Sequence, residues 1–172
     1  ICNMHPRVNI LNPGPGVGGH CIPVDPWFLV GDYPSLTKVI EASLKTNEAM
    51  PEFVLARIHT IMQERGMTDI TRVGLYGLTY KENVDDFRES PTLQLLEYQE
   101  QHLAEPLKVY DPFVTKDVVK HQYHNLDQFL ADVDLVVIMV GHDEFKQNMD
   151  KFSGKVILDT RKVCSLPNTY TL

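Results

Sequence analysis

Apolar residues recur every three to four positions late in the stretch from Ser35 to Arg65. Val54, Leu55, Ile58, Ile61 and Met62 fall on one face of a helix. Pro34-Ser35 marks its start and Gly66 its stop, while Pro51 either kinks the helix or splits it in two. The periodicity changes after Gly66. Arg72 to Leu78 (RVGLYGL) and Leu107 to Tyr110 read as strands, and Lys155 to Asp159 reads as the last one. Asp134 to Val140 (DLVVIMV) is a near-continuous apolar run, as found in parallel sheets covered on both faces. Ser90-Pro91 pairs an N-cap with a first-turn proline, which predicts a helix from Pro91 to about His102. Shorter helices are predicted near Asp127 to Ala131 and Asp143 to Met149. A long helix followed by alternating strands and helices predicts an α/β fold with a parallel sheet. Ligands of such sheets lie beyond the carboxyl ends of the strands. The loops after Leu78, Tyr110, Val140 and Asp159 are therefore where a site is expected, and Thr79 to Glu89 is polar and charged.

Residues 1–33 are loop-rich, and their most distinctive stretch runs from Gly14 to Pro26 (GPGVGGHCIPVDP). Four glycines and His20 lead into Cys21, and Pro23 and Pro26 argue against an ordinary helix after it. Gly14 to Gly19 formally matches GxGxxG. That motif needs a helix opening at its end, so it is not read here as a dinucleotide fingerprint. A thiolate at Cys21 would gain from exposed backbone N–H groups of the glycine loop. From chemistry alone, a buried structural cysteine in a glycine-rich turn is an equal alternative. A zinc site from Cys2, His5, His20 and Cys21 ranks well below both, because the paired ligand spacing is missing.

The 172 residues suffice for one core, or a domain with a helical appendage, and the net charge of −7 argues against a nucleic-acid binder. It leaves room for an anionic ligand held by a few local cations. No run of apolar residues is long enough to span a membrane and no signal-peptide pattern is seen, so no membrane association is expected. Three cysteines at irregular spacing are no disulfide framework, which fits a reducing cytoplasm. The start at Ile1, without cap or linker, suggests a fragment of a longer polypeptide.

Two motifs resemble one known family. GPGVGGHCIPVDPWF is similar to the catalytic loop, and GLTYKENVDDFRESP to the C-terminal signature, of the UDP-glucose/GDP-mannose dehydrogenases. The resemblance covers essentially the whole chain. His20 before Cys21, and Ile-Pro-Val-Asp-Pro-Trp after it, look most like members acting on UDP-N-acetyl-D-mannosamine. Members acting on UDP-glucose often carry lysine where this chain has Val24, so no lysine role is carried over there.

The resemblance implies a two-step, four-electron oxidation of a UDP-sugar with NAD through a thioester on Cys21. Asp25 would position or activate the hydrolytic water. Asn12, Gly14, Gly16, Val17 and Gly18 would wrap the nucleotide sugar, and Tyr80, Lys81 and Arg161 would contact it. Arg88 would reach NAD, or pair with Asp85 or Asp86, or both. The implied organisation is a catalytic-cysteine loop and central dimerisation helix in residues 1–66, then a Rossmann-like, parallel-sheet UDP-binding domain in residues 67–172. The helix from Ser35 to Arg65 would form a homodimer. The family's N-terminal NAD-binding Rossmann domain would be absent, leaving this chain inactive alone. The acid product would fit polysaccharide biosynthesis. The alternative is a stand-alone UDP-sugar-binding or dimerisation module without redox activity, for which a reactive thiol has no use.

Overall fold

The structure, a computed structural model, describes Met4, Arg7, residues 12–102 and residues 105–172. Two helices come first, α1 (Asp25–Asp32) and α2 (Lys38–Arg65). The remainder alternates: β1 (Val73–Tyr76), α3 (Pro91–Gln101), β2 (Lys108–Tyr110), β3 (Gln122–Tyr123), α4 (Leu126–Asp132), β4 (Leu135–Ile138), α5 (Asp143–Gln147), β5 (Val156–Asp159) and β6 (Thr169–Thr171). All neighbouring strands pair in parallel, in the order β3-β2-β1-β4-β5-β6. This order reverses direction between β1 and β4, and the crevice above that point is where doubly wound sheets bind ligands.

Successive residues on the central strands face opposite layers, which is why both faces are apolar. Leu75, Leu135 and Val137 pack toward α2 and α3 with Val54, Ile58, Ile61 and Leu95. Tyr76, Val136 and Ile138 pack toward α4 and α5 with Phe129, Phe145 and Phe152. The second half of α2 thus shares a core with the sheet. Gly66 ends α2 at φ 66°, and Met67 N–H reaches back to Met62 O at 2.8 Å, a Schellman closure.

The structure corrects some of the expectations from sequence and decides others. A helix does follow Cys21. Pro26 sits in the first turn of α1, where a missing N–H breaks no helical bond. The dinucleotide reading of Gly14 to Gly19 still fails, because no helix opens at the end of the loop and α1 begins six residues past it. Pro51 does not split α2, which runs unbroken and starts three residues later than Ser35. The last strand is β6, not the one ending at Asp159, and β3 and β6 escaped the pattern altogether. Of the zinc reading, Cys2 and His5 lie outside the described residues. Among the described residues no cluster is placed to hold a metal, and no helix is long and apolar enough to cross a membrane.

Candidate functional site

The glycine loop is seated on the loop that follows β1, and the glycines explain how. A methyl on Gly18 would lie 2.4 Å from the Glu89 carbonyl oxygen and 2.8 Å from Tyr80 Cβ. Gly19, at φ 85°, lies under the Tyr80 ring and donates its N–H to Arg88 O at 3.2 Å. Gly16, at φ 120°, abuts Pro91 and the Asn47 carbonyl oxygen. Pro51 has no N–H to offer that carbonyl, so α2 is open at the position where the loop approaches. The Asn47 side chain completes the seat. It accepts Val17 N–H at 2.7 Å and donates to Val17 O at 3.0 Å.

The loop then delivers Cys21 to the surface as an exposed free thiol, so a buried structural cysteine is excluded. The Cys21 carbonyl accepts Asp25 N–H at 2.9 Å, which places exposed Asp25 one helical turn further on. A cleft of about 470 Å³ lies beside this turn, lined by Pro23, Val24, Trp27, Asn47, Glu48 and Glu89 among others.

Cations gather on the same side. Arg161 follows β5, and its guanidinium lies so close over Gly14 that a methyl there would meet Nη1 at 2.6 Å. It also faces Glu82 at 3.8 Å. Lys81 is exposed on the loop after β1, with no ion pair among the described residues. Arg88 is exposed too, and Asp86 clamps it through Nε and Nη2, the latter at 2.5 Å. Hydrogen bonds from Arg88 hold the Asp86 carboxyl down at about 2. Asn12 is exposed at the loop's entrance.

Two buried aspartates at strand ends hold these loops in place. Asp111, after β2, accepts N–H bonds from Leu78, Thr79, Phe113 and Val114. Burial opposes its charge, but the His142 hydrogen bond and these backbone donors prevail and lower its pKa. Asp159, the last residue of β5, accepts from Arg161, Val163 and Cys164 N–H at 2.9, 2.7 and 2.6 Å and so orients Arg161. Sequence reasoning missed Asn47, Asp111 and Asp159. An asparagine inside a long helix and an aspartate closing an apolar strand before proline are the signals that were there to use.

The structure therefore brings Gly14, Gly16, Val17, Gly18, Tyr80, Arg88 and Arg161 together around the loop that presents Cys21. The parallel sheet thus carries cations and a glycine-bedded loop with an exposed thiol on one surface at its carboxyl edge. Residues 74–166 match the UDP binding domain of the UDP-glucose/GDP-mannose dehydrogenase family, and residues 1–49 its central domain. The chain belongs to this family. It is 40% identical over 172 residues to a UDP-N-acetyl-D-mannosamine dehydrogenase of Methanocaldococcus jannaschii, covering 95% of this chain and 38% of that protein. An NDP-N-acetyl-D-galactosaminuronic acid dehydrogenase of Ralstonia nicotianae is 36% identical, covering 96% of this chain and 39% of that protein. Among solved structures, a UDP-N-acetyl-mannosamine dehydrogenase of Staphylococcus aureus superposes with a TM-score of 0.75 at 38% identity, over 98% of this chain and 40% of that one. A UDP-D-ManNAc dehydrogenase of Pyrococcus horikoshii gives 0.80 at 30% identity, over 98% and 41%. The chain thus spans about two-fifths of the length of these relatives.

Proposed function

We propose that this chain forms the UDP-sugar and thiol side of an NAD-dependent UDP-sugar 6-dehydrogenase, acting on UDP-N-acetyl-D-mannosamine. The names of its relatives support the sugar. The observation that carries the proposal is the seating of Gly18 and Gly19 under Tyr80 and Glu89. It joins the Cys21 loop and the loop after β1 into one surface. Arg161 and Lys81 supply positive charge for a diphosphate, Arg161 as a planar fork and Lys81 as a point charge. Asn12 and the Gly14 to Gly18 backbone line the approach.

NAD, when bound, takes up one hydride in each of two oxidations. After the first, the Cys21 thiolate adds to the C6 aldehyde and forms a thiohemiacetal. Loss of the second hydride leaves a thioester. Water positioned by Asp25 attacks its carbonyl carbon, the C–S bond breaks, and the uronate departs while Cys21 regains its thiol. Two hydrides leave and one water is consumed per sugar. What this chain offers a dinucleotide is the exposed, Asp86-clamped guanidinium of Arg88, suited to a phosphate or ribose edge. A homodimer is supported by apolar side chains left in solvent on α2 and just before it, Leu36 and Val39 being 82% and 80% exposed.

Iodoacetamide labelling near neutral pH, read by mass spectrometry, tests this reading. Cys21 should be alkylated well before half-buried Cys164, and UDP-N-acetyl-D-mannosamine should protect it. Equal labelling of both thiols, unaffected by the sugar nucleotide, would favour a module without redox activity.

A further inference from the structure

At the crevice between β1 and β4 lies a buried imidazole that the mechanism above does not use. His142 and Asp111 are both fully buried, with Nε2 and Oδ2 3.2 Å apart. The tautomer follows from the partners. Nδ1 lies 3.0 Å from the backbone nitrogen of Asn83. A backbone N–H can only donate, so Nδ1 is the acceptor and carries no proton. The proton sits on Nε2, which faces Asp111 Oδ2 and, at 3.4 Å, Thr79 Oγ1. Thr79 Oγ1 donates its own proton to Lys81 O at 2.9 Å and so presents a lone pair to Nε2–H. Phe113 and Tyr76 flank the ring, with centroids at 5.1 and 6.0 Å, and fix its plane.

Asn83 takes a left-handed backbone conformation at φ 58°, one that asparagine adopts more readily than other non-glycine residues. Besides the bond to His142, its side chain donates to Asp143 Oδ2 at 2.8 Å and accepts Asp143 N–H at 3.0 Å. Two residues upstream is Lys81, and Tyr80 before it covers the glycine loop. We infer that His142 is the positioning residue of this loop: its bare Nδ1 captures the Asn83 amide and thereby sets where Tyr80 and Lys81 stand for the ligand. The link to ligand rests on the function proposed above, whereas the link from His142 to Asn83 does not.

Two substitutions divide the imidazole's roles. His142→Asn places an amide oxygen where Nδ1 stood, while His142→Gln places its amide near Nε2 and offers Asn83 nothing. Hydrogen exchange by NMR and calorimetric titration with UDP read both. In His142→Asn the Asn83 amide should stay protected and UDP affinity stay within about threefold of wild type. In His142→Gln that amide should exchange about tenfold faster and UDP affinity fall about tenfold. Folded variants that behave alike in both measurements would overturn the inference. Nitrogen NMR of the wild-type ring tests it without substitution, since a proton on Nδ1 would overturn it even if neither variant folds. Absence of UDP binding to wild type would refute the ligand half together with the proposed function, and exchange at Asn83 would still decide the His142 link.

Discussion

Gly18→Ala tests whether the thiol loop is seated where the structure places it. The added methyl would stand 2.4 Å from the Glu89 carbonyl oxygen and 2.8 Å from Tyr80 Cβ. Both neighbours are main chain or next to it, so neither can swing aside. Gly18 has no positive φ, so the penalty is steric. Restoring ordinary contact of about 3.5 Å needs a retreat of roughly 1 Å. If the loop stays, overpacking costs about 1–3 kcal/mol. If it lets go, it forfeits the two Val17–Asn47 bonds and the Gly19–Arg88 bond, at about 1 kcal/mol each. Both routes end near the same ceiling of about 3 kcal/mol. At about 2–4 °C per kcal/mol for a chain of this size, melting should fall by roughly 2–12 °C. Gly31→Ala is the control, because its methyl meets open space within helical α1. There the better helix former should leave stability unchanged or raise it by up to about 1 kcal/mol. Thermal melting by circular dichroism, with exchange at the Gly19 amide, measures both. Melting of Gly18→Ala within about 1 °C of wild type, with Gly19 still protected, would refute the seating.

Asp111 makes stability depend on acid. Its folded pKa lies below the unfolded value, so its contribution is complete above about pH 4 and is lost as pH falls through the lower, folded value. Urea unfolding at pH 7 and pH 3 should show Asp111→Asn about 3 kcal/mol less stable at pH 7, with a smaller further loss at pH 3. At the alkaline end, burial first and the shared Glu144 carboxylate second raise the Tyr76 and Tyr110 phenols. Their contribution is present below the unfolded pKa near 10 and is lost as pH rises beyond it. An ultraviolet titration should therefore find these two tyrosines silent until the chain unfolds.

The central strands were legible because they are buried on both faces, which leaves runs such as DLVVIMV with almost no polar interruption. Ser90-Pro91 was legible because capping is a local matter, and the Ser90 hydroxyl does accept Leu93 N–H. β3 and β6 were not. They are two and three residues of polar or half-buried edge, too short to carry a period. α1 was hidden by counting Pro26 as a breaker when it stands in the first turn. Pro51 was recognised as a helix irregularity, but not as the opening against which Gly16 packs. The thiol loop and the cations could be found as motifs, whereas Asn47 and His142 act through partners 30 and 59 residues away. No local pattern records such pairings.

Calorimetric titration of UDP, with NAD as the control ligand, tests the central claim most directly. The account predicts UDP binding that weakens about tenfold or more in Lys81→Ala and in Arg161→Ala, as expected when one charge-assisted contact is lost. NAD should give no comparable heat with this chain. UDP affinity indifferent to both substitutions, or NAD bound in preference to UDP, would contradict it.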